Sequence, residues 1–381
     1  MESGLYFDYC ATTPLHPQVR EAILPALENN FGNPSRMHVY GRKARAAIET
    51  AREQIAAGIG ASPDEIFFTS GATEANNLAL IGTLKAVAPE KNHLIISAIE
   101  HHAVLHTAEA LESSGYQITI LPVNRDGFIS PHELENNLRP ETALVSIMMV
   151  NNEVGTVQDI SRLAETTRQN GILFHTDAVQ AVPILEVDVR MLGVDFLSLS
   201  AHKMYGPKGI GALYIKSGTE IKPLFFGGAQ EKKLRPGTEN MPGILGLGAA
   251  MALRAENLTE RQDHLSQLRR YLINGLQEVI PESKINGPTD MVAPHIISVT
   301  IPEVDGELAL FHLSQKGVAV SLGSACTSED MEPSHVLTAM GLSPSEIHGT
   351  LRISLGEPTT AAEIEQLLQI LPEIVKRAKL D

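Results

Sequence analysis

Cysteine is nearly absent from this sequence: Cys10 and Cys326 are the only 2 in 381 residues. Two thiols build neither a disulfide framework nor a thiol-rich zinc site, so a reducing cytoplasm is the expected setting. Basic residues are also scarce. The 30 Lys and Arg face 45 Asp and Glu, and the formal charge of −15 argues against nucleic acid or an anionic membrane as main partner. That excess does not exclude a local basic pocket for a small anion. Long apolar runs are missing too: ILGLGAAMAL (244–253) is far too short to cross a bilayer. The opening MESGLYFDYC carries Glu2 and Asp8 and has no basic-then-apolar leader pattern. No repeat, heptad or low-complexity tract interrupts the chain.

What remains is ordinary globular composition, 43% hydrophobic and 20% charged, on a chain long enough for two structural units. Short β-branched runs alternate with helical patterns from about residue 35 to 255. Candidate strands are IFFT (66–69), LIISA (94–98), ITIL (118–121), ALVSIMMV (143–150), ILFHT (172–176), VDFLSLS (194–200) and IGALYI (210–215). Several are nearly continuous apolar runs, the pattern of a mostly parallel sheet covered by helices on both faces. Ala44, Ile48, Ala51 and Ile55 recur at helical spacing, and Gly58 and Gly60 follow as a stop. A second unit is expected near 258. There LTERQDHLSQLRRYLINGLQEVI lines up Leu265, Leu268, Leu272, Leu276 and Val279 on one helical stripe. Strand-like IISVTI (296–301), GVAVS (317–321) and TLRIS (350–354) come next, then a helix from about 361 to 378. The expected division is a large domain over 16–257 and a smaller α/β domain over 258–381, joined by the N-terminal segment 1–15.

Polar motifs stand at the ends of these strands. In SLSAHKMYGPKGIGALY (198–214), Lys203 follows a strand and suits a lysine that condenses with a carbonyl once desolvated enough to lose its proton. Taken alone, it also reads as a solvated loop lysine. HTDAVQA (175–181) sets Asp177 just past a buried strand, where it is able to keep a pyridine nitrogen protonated or simply to cap a helix. SGATEANN (70–77) opens a helix whose backbone N–H groups, with the Ser70 and Thr73 hydroxyls, suit a phosphate; it also reads as a tight turn. EHHAVLH (100–106) spaces His102 and His106 one turn apart, but without a third ligand packing or capping is the better reading than metal. NNEVG (151–155) reads as a turn or as a donor to a ring oxygen. In open α/β sheets the carboxyl ends of the strands form the ligand crevice, so topology alone makes these motifs converge.

Taken together the motifs resemble the pyridoxal 5′-phosphate (PLP) dependent cysteine desulfurases, within the fold type I, class V aminotransferase-like enzymes. The match runs from YFDYCATTP (6–14) through FGNPS (31–35), GATEANN, EHHAVL, NNEVG, HTDAVQ, SAHKMYGPKG, RPGTEN (235–240) and GSACTS (323–328) to LRISLG (351–356). It implies a large domain with a mostly parallel seven-stranded sheet plus the smaller C-terminal domain. It also implies that Lys203 holds PLP and moves the substrate Cα proton. Asp177 then pairs with the pyridine nitrogen and His101 stacks on the ring. Asn152 and Gln180 lie near the phenolic oxygen. Ala72, Thr73, Ser200 and His202 bind the phosphate, with Thr238 reaching across from the other subunit of a homodimer. Arg352 matches the clamp for the substrate carboxylate, with Asn33 as a further candidate, and no metal is implied.

Cys326 matches the family's nucleophile. Its thiolate takes sulfur from L-cysteine as a persulfide and alanine is released, for delivery to an acceptor such as an iron–sulfur scaffold protein or for tRNA thiolation. His101 is the acid–base group expected to help form that thiolate. The stretch CTSEDMEPSHVLTAMGLSPSEIHG after it resembles the group with an extended, mobile cysteine loop, with a short helix at EPSHVLTAM. Cys10 stands where the family usually has a small residue and reads as packing. The chain stops soon after its last expected helix, at KRAKLD, so the longer tail that docks a scaffold in some members is expected to be absent or reduced. The alternatives on the same fold are a selenocysteine lyase or a cysteine C–S lyase.

Overall fold

The computed structural model describes residues 4–323 and 333–380. Cys326, and with it the expectation of an extended cysteine loop, lies outside the described residues. After β1 (Leu5–Tyr6) come α1 (Pro17–Glu28), α2 (Val39–Gly58), β2 (Ile66–Thr69), α3 (Ala72–Leu84), β3 (His93–Ser97), α4 (His102–Ser113) and β4 (Gln117–Leu121). Then follow α5 (Pro131–Asn137), β5 (Thr142–Ser146), α6 (Ile160–Gln169), β6 (Leu173–Asp177), α7 (Val189–Leu192), β7 (Phe196–Ser200) and β8 (Gly211–Ile215). The remainder is α8 (Met241–Val279), β9 (Lys284–Asn286), β10 (Ile296–Thr300), α9 (Gly306–Gln315), β11 (Val318–Ala319) and β12 (Ser321–Leu322), then α10 (His335–Ala339), α11 (Pro344–His348), β13 (Thr350–Ser354) and α12 (Ala361–Arg377).

All seven strands expected before residue 216 form, and they share one sheet of order β2-β8-β7-β6-β5-β3-β4. Only β8 runs against its neighbours; β3, β4, β5, β6 and β7 are mutually parallel, and β2 shares their direction. Alternation along each strand sorts its residues between two cores. Ile95, Val145, Leu197 and Leu199 face one; Leu94, Ile96, Leu144 and Phe196 face the other. Burial on both faces is why these strands read as continuous apolar runs. Helix α3 is buried on most sides, from Ala75 to Leu84, and packs between the sheet and α4. Its N-terminal turn fits against β8 because residue 211 is glycine: a Cβ there would lie 2.5 Å from the Leu199 carbonyl oxygen and 2.8 Å from Gly71 Cα.

A four-stranded antiparallel sheet, β12-β13-β10-β9, organises the C-terminal part. One expectation changes here. The run GVAVS is not one strand: Val318 and Ala319 pair with β1, whereas Ser321 and Leu322 pair with β13. The long helix expected from 258 is present as the second half of α8: the 39-residue element is two helices joined across a kink at Asn257 (φ −120°, ψ 15°), at the boundary expected from the sequence. A further, mostly buried helical stretch around Leu247 and Met251 precedes the kink. Among the described residues no helix is long and apolar enough to cross a membrane.

The N-terminal segment ties both parts together. Phe7 N–H donates to Ala319 (2.8 Å), Ser354 N–H donates to the Phe7 carbonyl (2.7 Å), and Thr13 N–H donates to the His202 carbonyl (3.0 Å). The strand that ends at the site is itself core: Leu197 in β7 is fully buried. Leu197→Ala is therefore expected to lower unfolding free energy by about 2–5 kcal/mol, read from urea unfolding of the two forms side by side.

Candidate active site

A cavity of about 630 Å³ opens where the parallel strands end. His101 and Asn152 leave the neighbouring strands β3 and β5, on either side of the point where strand order reverses. Asp177 is the last residue of β6 and Ser200 the last of β7. A short 3₁₀ turn, Ala201–Lys203, carries His202 and Lys203 onward. Ala72 and Thr73 lie in the first turn of α3, where unpaired N–H groups point outward. All of these residues line the cavity, as do Gln180 and Arg352. Asn33 and Thr238 do not. The Asn33 side chain accepts from Ser35 N–H (2.9 Å) in its own loop. Thr238 lines an adjoining cavity that shares Ser70 and Gly209 with the first.

Among the described residues Lys203 Nζ is held by main-chain oxygens, donating to Cys10 O and, at 2.8 Å, to Ala11 O. Its pKa falls to about 8, chiefly through desolvation, with the charge of Arg352 adding to the fall. Tyr205, two residues later, has φ +62°, a strained value for a bulky residue. Thr13 holds it there by accepting from Tyr205 N–H (2.8 Å). The N-terminal segment thus both anchors the amine and sustains the strain beside it.

Asp177 accepts from Asn76 Nδ2 at 2.7 Å and from Val179 N–H at 3.0 Å. A carboxylate only accepts, so the amide of fully buried Asn76 must present its nitrogen. His101 caps α4: its Nδ1 accepts from Ala103 N–H (3.1 Å), which puts the neutral ring's proton on Nε2. Desolvation lowers its pKa against the opposing charge of Asp177. His202 is pushed down to about 4 by desolvation and then by Lys203 and Lys208, so it is neutral at pH 7. Gln180 is already engaged, donating to the Cys10 carbonyl (3.0 Å). Arg352 donates to Asp8 Oδ1 (3.0 Å) and to the Asn152 carbonyl (3.1 Å), and its Nε has no partner among the described residues.

Three of these partners were missed from sequence: Asn76, Asp8 and the Cys10 carbonyl. All three lie inside motifs already singled out, GATEANN and YFDYCATTP, but nothing local assigns them a partner far along the chain. Glu100 was missed as well. It is fully buried, accepts from Ser97 Oγ (2.5 Å) and Met148 N–H (2.8 Å), and burial pushes its pKa up to about 8. Cys10 packs as expected, at 2% exposure. His102 and His106 stack face to face with ring centres 4.8 Å apart. Among the described residues no three His, Cys, Asp or Glu are grouped to hold a metal ion.

A desolvated lysine, a buried carboxylate, a helix N-terminus and a buried guanidinium meet around one crevice, a set suited to an anionic carbonyl cofactor. Comparison with known proteins agrees. The family model for class-V aminotransferases matches residues 5–367. The chain is 47% identical over 379 residues to cysteine desulfurase IscS of Dictyoglomus turgidum, covering 100% of this chain and 96% of that protein. A solved NifS-like protein superposes with TM-score 0.93 at 37% identity, covering 98% of this chain and 100% of the other. A structure described as SspA in complex with cysteine reaches TM-score 0.82 at 42% identity, covering 93% and 99%. The chain belongs to the class-V aminotransferase family: it has PLP fold type I, it is an enzyme, and its cofactor is PLP.

The residues present fit that cofactor. Lys203 offers a near-neutral amine to an aldehyde, and Thr73, Ser200, His202 and Lys208 line the cavity with the α3 N-terminus, as a phosphate requires. Condensation needs the unprotonated amine, and a lysine whose pKa is lowered sheds its proton earlier as pH rises. Cofactor uptake by the apoprotein is therefore expected to accelerate through about pH 8 and then level off. Stopped-flow absorbance across pH 6.5–10.5 checks this; a rate still rising steeply at the top of that range would contradict it.

Proposed function

We propose that the protein is a cysteine desulfurase, converting L-cysteine to L-alanine and passing the sulfur to Cys326 as a persulfide. The observation that carries this reading is that the desolvated Lys203 amine and the buried Arg352 guanidinium line one cavity with Asp177 and His101. The 47% identity to a protein named cysteine desulfurase supports it.

Bound in this cavity, the cofactor supplies an electron sink at the substrate Cα. Lys203 would hold the cofactor, take the Cα proton and later return a proton to the product. Asp177, kept in place by Asn76 and Val179, would keep the pyridine nitrogen protonated. His101 would pack against the ring, and Asn152 and Gln180 would serve its phenolic oxygen. Ala72, Thr73, Ser200 and His202 hold the phosphate, with Thr238 contributed across a dimer. Arg352 would bind the substrate carboxylate, whereas Asn33, the other candidate, lies outside this cavity. The Cys326 thiolate attacks the substrate sulfur: an S–S bond forms, the C–S bond breaks, and the carbon takes a proton to become alanine. Residues 16–257 act as the cofactor-binding unit and 258–381 as the smaller one that carries Arg352 and Cys326.

The protein works in the cytoplasm and hands its sulfur to acceptors for iron–sulfur cluster assembly, tRNA thiolation or both. It works as a homodimer. Phe31 (73% exposed), Met37 (89%) and Phe226 (91%) put large apolar side chains in water. Pro34 and Ser35 line one cavity with Ala229 and Gln230, so the two exposed loops share a face. Sedimentation at micromolar concentration is expected to return twice the 41.2 kDa chain mass, whereas a monomer would refute the shared site.

Alanine release and bound sulfane sulfur, measured together, test the chemistry. Wild type is expected to yield them in equal amounts. Cys326→Ala should keep the cofactor's visible band while alanine release falls by about 100-fold or more. Lys203→Ala should lose the covalently held cofactor and all turnover. Undiminished alanine and sulfide from Cys326→Ala would instead favour a C–S lyase.

A further inference from the structure

Arg352 is only 2% exposed, yet it faces the cavity. An unopposed guanidinium in such a place is costly and draws any small anion, multiply charged ones most of all. Asp8 opposes it: Arg352 Nη2 donates to Asp8 Oδ1 at 3.0 Å. The same oxygen accepts from Ser321 Oγ, also at 3.0 Å. Arg352 Nη1 is spent on the Asn152 carbonyl. The guanidinium plane is therefore pinned at both terminal nitrogens, from the N-terminal segment on one side and the turn after β5 on the other. Of its five N–H donors these contacts use two, and among the described residues the buried Nε–H has no partner.

Asp8 is itself well held. Its main chain bridges to Ser354 on β13, the strand that carries Arg352, and its carbonyl accepts from Tyr6 Oη (3.1 Å). Two residues further on, the same segment supplies the oxygens that hold Lys203. Asp8 thus lies on the stretch that connects Lys203 and Arg352. With Asp8 ionised the pair carries no net charge, and what remains for a ligand is directional: the unused Nη hydrogens. Two coplanar oxygens with a single negative charge suit that face, and a compact dianion gains little from it.

We infer that Asp8 is a positioning and specificity residue of the substrate site. It fixes the plane of Arg352 and cancels its charge, so that the site takes a monocarboxylate amino acid and turns away dianions. The inference rests on Arg352 being the carboxylate clamp of the proposed desulfurase.

The test compares wild type, Asp8→Asn and Asp8→Ala as holoenzymes, with sulfate as the competing dianion. Asparagine keeps an acceptor oxygen for Arg352 and Ser321 but removes the charge. Asp8→Asn is expected to keep KM for L-cysteine within about threefold while sulfate inhibits about tenfold more tightly than in wild type. Asp8→Ala, which also frees the guanidinium, is expected to raise KM about tenfold with kcat little changed. A purely structural role would lower kcat, cofactor content and melting temperature together. Equal sulfate inhibition of wild type and Asp8→Asn would overturn the inference, as would a wild-type KM in Asp8→Ala. Titrating L-alanine and sulfate against the cofactor's visible band repeats the comparison without sulfur transfer. A wild type that releases no alanine, with the Asp8 effects intact in this titration, sinks the desulfurase reading alone.

Discussion

One constraint organises this molecule: an amine must lose its water without gaining a counter-ion. Lys203 meets it just past the end of β7, held by two main-chain oxygens and, among the described residues, paired with no carboxylate. Carbonyl oxygens stabilise the ammonium less than a carboxylate would, so desolvation wins and the pKa falls to about 8. An ion-paired lysine in the same place would stay charged and useless to an aldehyde. The need for neutral acceptors explains the path of the N-terminal segment. It leaves its pairing with β11, bridges to β13 and lays residues 10 and 11 against the lysine.

The sheet answers a second requirement, that chemically different groups meet without long loops. Strands β2, β3, β5, β6 and β7 share a direction, so the segments that leave them open toward one crevice. Each strand is locked in register by side chains alternating between two cores, and a one-residue slip would turn Asp177 away from the cavity. Precision at the site is in this sense borrowed from burial far beneath it.

Around the cavity, neutral groups surround the charges that matter. Asn76 donates to Asp177 without adding charge, and His202 stays neutral near two lysines. Glu100, buried below His101 and with its pKa raised to about 8, is protonated at pH 7 and does not compete with Asp177 for a positive partner. Glu153, raised to about 7 by burial, accepts from Ser334 Oγ at 2.5 Å and secures the start of α10 against the turn that holds Asn152. Fixed dipoles and half-neutral acids leave few free charges, so the carboxylate of Asp177 and the guanidinium of Arg352 keep their directions.

Much of this was legible in the amino-acid order. Apolar runs bounded by polar motifs marked all seven strands of the large sheet, because a strand buried on both faces leaves that trace. The motifs at their ends bring Lys203, Asp177 and His101 to one cavity, while the roles read for them came from the resemblance to the cysteine desulfurases rather than from the local residues. GVAVS misled because its two halves pair with different partners, and pairing is not written in a five-residue run. The amphipathic half of α8 after the kink at Asn257 was legible, and the buried stretch from Met241 before it was not, because it shows no polar face. Asp8 with Arg352, Asn76 with Asp177, and the oxygens of residues 10 and 11 on Lys203 join positions far apart in the chain. Sequence determined the strands, the helix caps and the kinds of chemistry on offer, since these follow from neighbours along the backbone. Only the tertiary structure decided which charge is opposed and which is left bare, since that depends on what folding brings within 3 Å.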